Sequence, residues 1–308
     1  MTPAQKTVRN SRFILIFVRI YSNGPDSPHD HLPLRRLPAG LQPLRFPFLT
    51  LTGQPFGCPF LYRMQKRIFY IEAQDPVARD TFRLVLRTDG EVAVRSGQFV
   101  DIALPGFYLR RPISVSDTLP DGVVLYYKVV GEGTRAMAAM RPGEQLELLL
   151  PLGSGFHPEK CRESALLIGG GLGAAPLYLL AKALLGAGKR ATAVLGFNRA
   201  DEICLEQEFR ALGVPVHIAT LDGSIGTQGF VTDAIAVAHP EYDRFYTCGP
   251  LPMMKAVCAA LDAPGEVSLE ERMGCGAGFC YGCTVQTQRG PRRVCADGPV
   301  FDKEEVLW

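Results

Sequence analysis

The chain has 308 residues, of which 47% are apolar and 21% are charged, with 33 basic and 31 acidic side chains. This composition is ordinary for a globular protein of two domains, or three small ones, and excludes a collagen-like, coiled-coil or wholly disordered protein. The net charge of +2, and a longest apolar run (Phe13–Val18) far short of the about 20 residues that span a bilayer, argue against binding to nucleic acid or a membrane. Nine cysteines, an odd number with one dense cluster, indicate metal binding in a reducing cytoplasm and not a disulfide framework.

Residues 1–63 show neither helical nor strand periodicity, and eight prolines fall between Asn23 and Pro59. Acidic side chains are scarce in that interval, where only Asp26 and Asp30 occur. A long segment without periodicity is not expected to form a compact domain. We interpret residues 1–63 as a disordered extension, or as translation assigned from too early a start, with a targeting peptide as the alternative.

Six short β-like runs alternate with glycine- and proline-containing turns in the next region, residues 64–160. Such runs with regular turn punctuation predict a small antiparallel β-barrel. The predicted strands are Arg67–Ala73, Thr81–Arg87, Gln98–Leu104, Ile113–Ser116, Val123–Val130 and Gln145–Leu150.

Strands and helices alternate in residues 161–265, which predicts a doubly wound α/β domain with a parallel sheet. The predicted strands are Ala165–Ile168, Thr192–Phe197, Val216–Thr220, Arg244–Thr247 and Glu266–Leu269, of which the last lies just beyond this region. The predicted helices are Ala175–Leu185, Glu202–Leu212, Thr232–Ala238 and Pro252–Leu261. Residues 266–308 then form a small domain rich in cysteine and glycine.

Four of the nine cysteines crowd into this last region with the spacing C-x4-C-x2-C-x11-C, namely Cys275, Cys280, Cys283 and Cys295. This is plant-type [2Fe–2S] spacing, in which each iron takes two thiolates besides its bridging sulfides. The neighbouring glycines free the loop to wrap a cluster and let backbone N–H groups approach the sulfurs. Structural zinc is the alternative, although zinc ribbons usually present two separated C-x2-C knuckles.

A glycine-rich turn follows the first predicted parallel strand and opens its helix. The turn lets a pyrophosphate approach the helix N-terminus, where N–H groups and the helix dipole favour anions. The candidate dinucleotide-binding residues are Gly169, Gly170, Gly171, Gly173 and Ala174. The acidic residue that usually binds the ribose is missing after the second strand, where Asn198 and Arg199 leave both NAD and NADP open.

The tripeptide Cys248-Gly249-Pro250 follows the fourth predicted parallel strand, at the edge where ligands bind in open α/β sheets. We interpret Cys248 as a catalytic residue, and Gly249 and Pro250 as cofactor-binding residues. The alternative for Cys248 is a small buried apolar side chain.

Two segments of the predicted barrel are candidates for binding a second phosphate-containing cofactor. Arg111, in the segment Arg111–Ser114, can bind phosphate oxygens through its guanidinium group. Gly133 and Thr134 add backbone N–H groups and a hydroxyl for the same anion. The alternative for the arginine pair Arg110-Arg111 is a solvated surface.

Together these segments resemble the ferredoxin-reductase superfamily and, within it, the electron-transfer subunits of NAD-linked dihydroorotate dehydrogenases. The resemblance covers about residues 64–308, and its most specific part is Glu270–Phe301. It implies NAD in preference to NADP. It also implies that FAD is bound by Arg111, Pro112, Ile113, Ser114, Tyr126, Tyr127, Lys128, Gly133 and Thr134.

The resemblance further implies a relay in which electrons from a partner's FMN pass through the [2Fe–2S] cluster to FAD and then to NAD⁺ as hydride. The implied partner is the FMN-containing catalytic subunit of dihydroorotate dehydrogenase, an enzyme of pyrimidine biosynthesis, in a heterotetramer with two copies of each subunit. Phe279 and Tyr281 are candidate interface residues. The alternatives are a sulfide dehydrogenase or ferredoxin:NADP reductase-type subunit and, in another class, a non-redox zinc module.

Overall fold

A computed structural model describes residues 64–308, so the interpretation of residues 1–63 lies outside the described part of the chain. The described residues begin with a closed antiparallel barrel, as the sequence predicts. Around the barrel the strands neighbour one another in the order β1-β2-β5-β4-β3-β6. The strands are β1 (Gln65–Ala78), β2 (Thr81–Arg87), β3 (Phe99–Ala103), β4 (Arg111–Leu119), β5 (Gly122–Lys128) and β6 (Gln145–Leu152).

Strand β3 is buried on both of its faces. Val100 and Ile102 point into the barrel and are fully buried, as period-two alternation requires. Phe99 and Asp101 point outward, yet they are only 3% and 1% exposed. The outer face of β3 is therefore covered by another part of the chain.

Helix α1 (Glu132–Ala138) connects β5 to β6 and is held at both ends. At its start the Thr134 hydroxyl accepts hydrogen bonds from the backbone N–H groups of Val130 and Gly131, at 3.0 and 3.2 Å. At its end the Gln74 side-chain amide donates to the carbonyls of Ala138 and Met140, at 3.1 and 3.0 Å. Side-chain hydrogen bonds at both ends thus fix α1 beside the barrel.

An α/β unit follows the barrel, as predicted. Its parallel strands are β7 (Ser164–Gly170), β8 (Arg190–Phe197), β9 (Val216–Thr220), β10 (Thr227–Gln228), β11 (Arg244–Cys248) and β12 (Gly265–Ser268). Its helices are α2 (Ala174–Gly186), α3 (Glu206–Ala211), α4 (Val231–Ala238) and α5 (Leu251–Ala260). The strand order β10-β9-β8-β7-β11-β12 reverses direction beside β7, and ligands bind at such a switch point.

The helix predicted over Glu202–Leu212 is interrupted in the structure. A 3₁₀ turn covers Ala200–Glu202, and α3 begins only at Glu206. Between them Leu205 adopts a left-handed conformation, with φ of 66°, and its side chain is buried. At this break Cys204 and Leu205 are both buried in the core of the α/β unit.

The C-terminal region joins both preceding units. It contains the hairpin β13 (Thr284–Thr287) and β14 (Gly290–Arg293), and then β15 (Val300–Asp302), which pairs antiparallel with β12. Its core combines Phe99 of the barrel with Cys283, Cys295 and Phe301. The predicted boundary between residues 265 and 266 falls within β12. Among residues 64–308, every helix is too short or too polar to cross a bilayer.

Candidate functional site

The two candidate FAD segments of β4 and β5 face each other across an opening in the barrel wall. The pairing of β4 with β5 ends at Val115 and Leu125. Beyond that pair, Arg111–Ser114 remains paired with β3 on its other side, and Tyr126–Lys128 remains paired with β2. We call the space between Arg111–Ser114 and Tyr126–Lys128 the flavin gap.

An anion-binding corner lies at one end of the flavin gap. The guanidinium group of Arg111 lies so close to Gly133 that a Cβ atom at Gly133 would overlap it. The same guanidinium group stacks over the Phe107 ring at 4.9 Å and donates to the Leu109 carbonyl. The Thr134 hydroxyl caps α1 and donates to the Gly131 carbonyl at 3.1 Å, so it shapes the corner from within the turn. A fixed arginine beside a glycine backbone suits a flavin pyrophosphate.

The side chains of Tyr126, Tyr127 and Lys128 are already engaged within the protein. The Tyr126 hydroxyl donates to Glu208 at 3.2 Å, and the Tyr127 hydroxyl donates to the Gln74 side chain at 3.1 Å. Burial raises the pKa of both tyrosines, so they remain neutral donors. The groups of this segment that remain available to a flavin are the backbone N–H and C=O groups on the edge facing β4.

A cavity of about 460 Å³ opens at the carboxyl ends of the central parallel strands. Gly170 and Gly171 of the predicted turn line one side, and Pro250 lines another. Gly173 packs against the carbonyl of Cys248, so the turn and the Cys248-Gly249-Pro250 segment meet directly. The structure thus brings together the two segments that the sequence assigns to the dinucleotide.

Glu202 places a carboxylate at the cavity, although no acidic residue follows the second parallel strand directly. Its carboxylate accepts hydrogen bonds from Asn198 at 2.8 Å and from Lys128 at 3.3 Å, beside the cavity. Burial would raise the pKa of Glu202, but these donors outweigh it and lower the pKa. Arg199 instead pairs with Asp201 at 3.3 Å. The sequence feature that could have indicated Glu202 is its position four residues after Asn198.

Cys248 lies at the end of β11 and is 2% exposed. Burial raises the pKa of its thiol, and the charge of nearby Glu270 acts in the same direction. A buried neutral thiol can line a nicotinamide site but does not provide a thiolate nucleophile. Glu270, whose own pKa is raised by desolvation, is a neighbour for which the sequence predicts no role.

The four cysteines of the C-terminal motif come together as two pairs. The backbone N–H of Cys280 points at the Cys275 sulfur at 3.4 Å, and the backbone N–H of Cys295 points at the Cys283 sulfur at 3.4 Å. Within residues 64–308, no three His, Cys, Asp or Glu side chains are arranged to hold a metal ion. Two thiol pairs match the needs of a two-iron cluster better than a single tetrahedral zinc ion does.

Backbone N–H groups point at the sulfurs of this motif. The N–H groups of Phe279 and Cys280 lie 3.3 and 3.4 Å from the Cys275 sulfur, and that of Gly278 lies 3.2 Å from the Cys295 sulfur. Burial would raise the pKa of the Cys275 thiol, but its hydrogen bonds lower the pKa to about 7. This favours the thiolate form that binds iron. The residues present therefore fit a [2Fe–2S] cluster.

One edge of the cluster site faces solvent. Cys280 is exposed, and its neighbours Phe279 and Tyr281 are 64% and 65% exposed. Arg293 stacks on the Tyr281 ring at 4.9 Å and donates to the Gly278 carbonyl at 2.7 Å, which holds this loop in place.

This fold and these sites define an oxidoreductase of the ferredoxin-reductase type that carries a C-terminal iron–sulfur domain. Residues 167–259 match the oxidoreductase NAD-binding domain, and residues 270–307 match the iron–sulfur cluster binding domain of dihydroorotate dehydrogenase B. The chain belongs to the family of dihydroorotate dehydrogenase B (NAD⁺) electron transfer subunits.

Two relatives and one solved structure illustrate this membership. The chain is 43% identical over 252 residues to the electron transfer subunit of Shouchella clausii and 40% identical over 250 residues to that of Fusobacterium nucleatum subsp. nucleatum. Each comparison covers 77% of this chain and 96% of the relative. The structure of an NADH-dependent reduced ferredoxin-NADP oxidoreductase is similar with a TM-score of 0.72 and 33% identity, over 78% of this chain and 90% of that one.

Proposed function

We propose that this chain is the electron-transfer subunit of an NAD-dependent dihydroorotate dehydrogenase complex, with an FMN-containing catalytic subunit as its partner. When bound, the [2Fe–2S] cluster supplies one-electron transfer, FAD collects two electrons, and NAD⁺ accepts them as a hydride. The chain itself holds these groups and sets their spacing.

One observation carries the proposal. Ser114 of the flavin gap pairs with Phe99 of β3, and Phe99 packs in the same core as Cys283 and Cys295. Neighbouring strands lie about 4.8 Å apart, so a single strand separates the candidate flavin and cluster sites. Because electron transfer through protein falls off steeply with distance, this spacing supports direct transfer between the two cofactors.

The flavin gap also borders the dinucleotide cavity. Lys128 flanks the gap and lines the cavity, where it pairs with Glu202. Hydride transfer requires the nicotinamide and flavin rings to meet, and a shared boundary residue supports that arrangement.

The exposed edge of the cluster site is where we place the partner. Phe279 and Tyr281 offer aromatic area beside Cys280, and aromatic side chains are enriched at interface cores. The described residues contain a six-stranded barrel and an α/β sheet but no eight-stranded (β/α)8 unit to hold FMN and dihydroorotate. The chain alone should therefore not oxidise dihydroorotate.

Reconstitution tests this function. A mixture of the chain with an FMN-containing dihydroorotate dehydrogenase subunit should form orotate and NADH from dihydroorotate and NAD⁺. The isolated chain should show only NADH-dependent reduction of artificial acceptors. Dihydroorotate oxidation by the isolated chain, or an inactive mixture, would contradict the proposal.

The interface and the stoichiometry need separate measurements. The double variant Phe279→Ala, Tyr281→Ala should weaken the complex, whereas Val237→Ala, which removes a 70% exposed side chain on α4, should not. Native mass spectrometry should give two copies of each subunit.

A ferredoxin-NADP reductase-type subunit is the second candidate, because the solved structure with a TM-score of 0.72 carries such an activity in its name. Co-purification from native extract separates the two candidates. A partner with further iron–sulfur clusters and a preference for NADPH would favour the second, and an FMN-containing partner would favour the first.

A further inference from the structure

A buried carboxylate lies beneath the cluster loop. Asp101 is on the outer face of β3 and is 1% exposed, although an aspartate in that orientation on a barrel strand would ordinarily face solvent. Its Oδ1 atom is buried and makes no hydrogen bond. Such an arrangement is costly, so something in its surroundings must balance it or make use of it.

The other carboxylate oxygen lies against the cluster loop. A Cβ atom at Gly276 would overlap Oδ2 of Asp101, and Gly276 directly follows Cys275. Gly276 also has a φ of 63°, a conformation that favours glycine. The loop can approach the carboxylate this closely because no side chain stands between them.

The positive charges of two nearby arginines favour the ionised form of Asp101. Arg110 donates to the Asp101 carbonyl at 3.3 Å and to the Glu147 carboxylate. Burial raises the pKa of Asp101 to about 6, and the positive charges of Arg110 and Arg111 act in the opposite direction. The arginine that borders the flavin gap therefore also helps to keep a negative charge beside Cys275.

We propose that Asp101 is a positioning residue for the cluster, which braces the loop at Gly276 and, as a fixed negative charge, lowers the reduction potential of the bound [2Fe–2S] cluster. A cluster held at lower potential gives its electron to FAD more readily. The inference rests on the proposed function only in requiring that the four thiols hold the cluster.

The variant Asp101→Asn preserves the shape of the side chain and removes its charge. Both proteins are titrated at pH 8 with redox mediators while the reduced cluster is followed by electron paramagnetic resonance. At a fixed potential, the ratio of reduced to oxidised cluster should be about tenfold higher in the variant, equivalent to about 59 mV for one electron.

Glu147→Gln is the matched control. It removes one negative charge from the same Arg110, but Glu147 lies on β6 and is 27% exposed. Its reduced-to-oxidised ratio should change less than twofold. An unchanged potential in Asp101→Asn, or an equal shift in the control, would overturn the inference. Iron analysis of the unmodified protein tests the cluster assignment separately. If the unmodified protein binds no iron, the proposed function is contradicted, and not the role of Asp101.

A second experiment covers the case in which Asp101→Asn does not load a cluster. Gly276→Ala should lower bound iron, because the new Cβ overlaps the carboxylate and the backbone becomes strained. Adding Asp101→Ala should restore part of that iron, since the overlap is removed and only the strain remains. Failure of the second substitution to restore any iron would show that Asp101 does not brace the loop.

Discussion

The guanidinium group of Arg111 lies directly against the backbone of Gly133, the second residue of α1. This contact places a positive charge at the corner of the flavin gap. Arg111→Ala should remove a charge-assisted bond worth about 1.5–3 kcal/mol and weaken FAD binding about 10- to 100-fold. Gel filtration followed by flavin fluorescence measures the loss. Arg110→Ala is the control, because that arginine pairs with Glu147 instead, and equal loss from both variants would contradict the assignment.

The paired thiols predict a specific loss of metal. Cys280→Ser should remove most of the iron and acid-labile sulfide, because one iron is left with a single protein thiolate. The circular dichroism of the barrel should persist. Cys258→Ser, which changes a half-buried cysteine on α5, should keep full iron. Full iron in Cys280→Ser would eliminate that residue as a ligand.

Gly171 offers a test of the dinucleotide turn with a matched control. Its φ is 54°, and a Cβ atom there would meet no protein atom within 4 Å. Gly171→Val should obstruct the pyrophosphate and raise the apparent KM for NADH about tenfold or more, with FAD content unchanged. Gly188→Val introduces comparable strain, at a φ of 72° and in open space, but away from the cavity. If both variants raise KM equally, backbone strain and not obstruction is responsible.

Glu202 should control the choice between NAD and NADP. Its lowered pKa keeps the carboxylate ionised at neutral pH, where it repels a 2′-phosphate. Glu202→Gln should therefore raise the kcat/KM for NADPH relative to NADH about tenfold, which corresponds to about 1.4 kcal/mol. Glu206→Gln, whose native carboxylate pairs with Arg210, should leave the ratio unchanged. An unaltered ratio in Glu202→Gln would assign the selectivity to other residues.

Asp243 should contribute to stability in a defined pH range. Burial would raise its pKa, but bonds from three backbone N–H groups at 2.7–2.8 Å, those of residues 162–164, lower it to about 2. Because the folded pKa lies below the unfolded value of 3.8, the stabilisation is complete above about pH 4 and is lost as the pH falls toward 2.

Asp243→Asn should cost about 1–2 kcal/mol at pH 7, allowing for screening by solvent. The difference in Tm from the unmodified protein should shrink at pH 3. Asp262→Asn, at an exposed position, should show little effect at either pH. A Tm difference for Asp243→Asn that does not depend on pH would show that ionisation of Asp243 does not stabilise the fold.

Local patterns predicted most of the fold. Strands β2 and β9 begin and end at the predicted residues, because alternation and turn residues mark their limits within a few positions. Strand β15 was missed, because its three residues become a strand only by pairing with β12. The break at Leu205 was missed for the same reason, since tertiary burial overrides helix propensity there.

In the candidate site, too, local sequence patterns predicted some residues and not others. Cysteine spacing predicted a cluster because its ligands lie close together in the chain. Asp101 was not predicted, since its neighbour Gly276 comes from a distant segment. Glu202 was not predicted although Asn198 is only four residues away, because its pairing with Lys128 and its place at the cavity depend on the fold. A buried carboxylate such as Asp101 has contacts that no local sequence pattern records.

The pairing of β12 with β15 has a consequence for how the cluster is assembled. The segment between them, residues 269–299, carries all four cysteines of the motif, and its two ends are held side by side as neighbouring strands. Bringing the ends of such a loop together costs entropy that grows with the logarithm of its length. Because the pairing of β12 with β15 closes this loop through backbone hydrogen bonds, the closure does not have to come from iron–thiolate bonds alone.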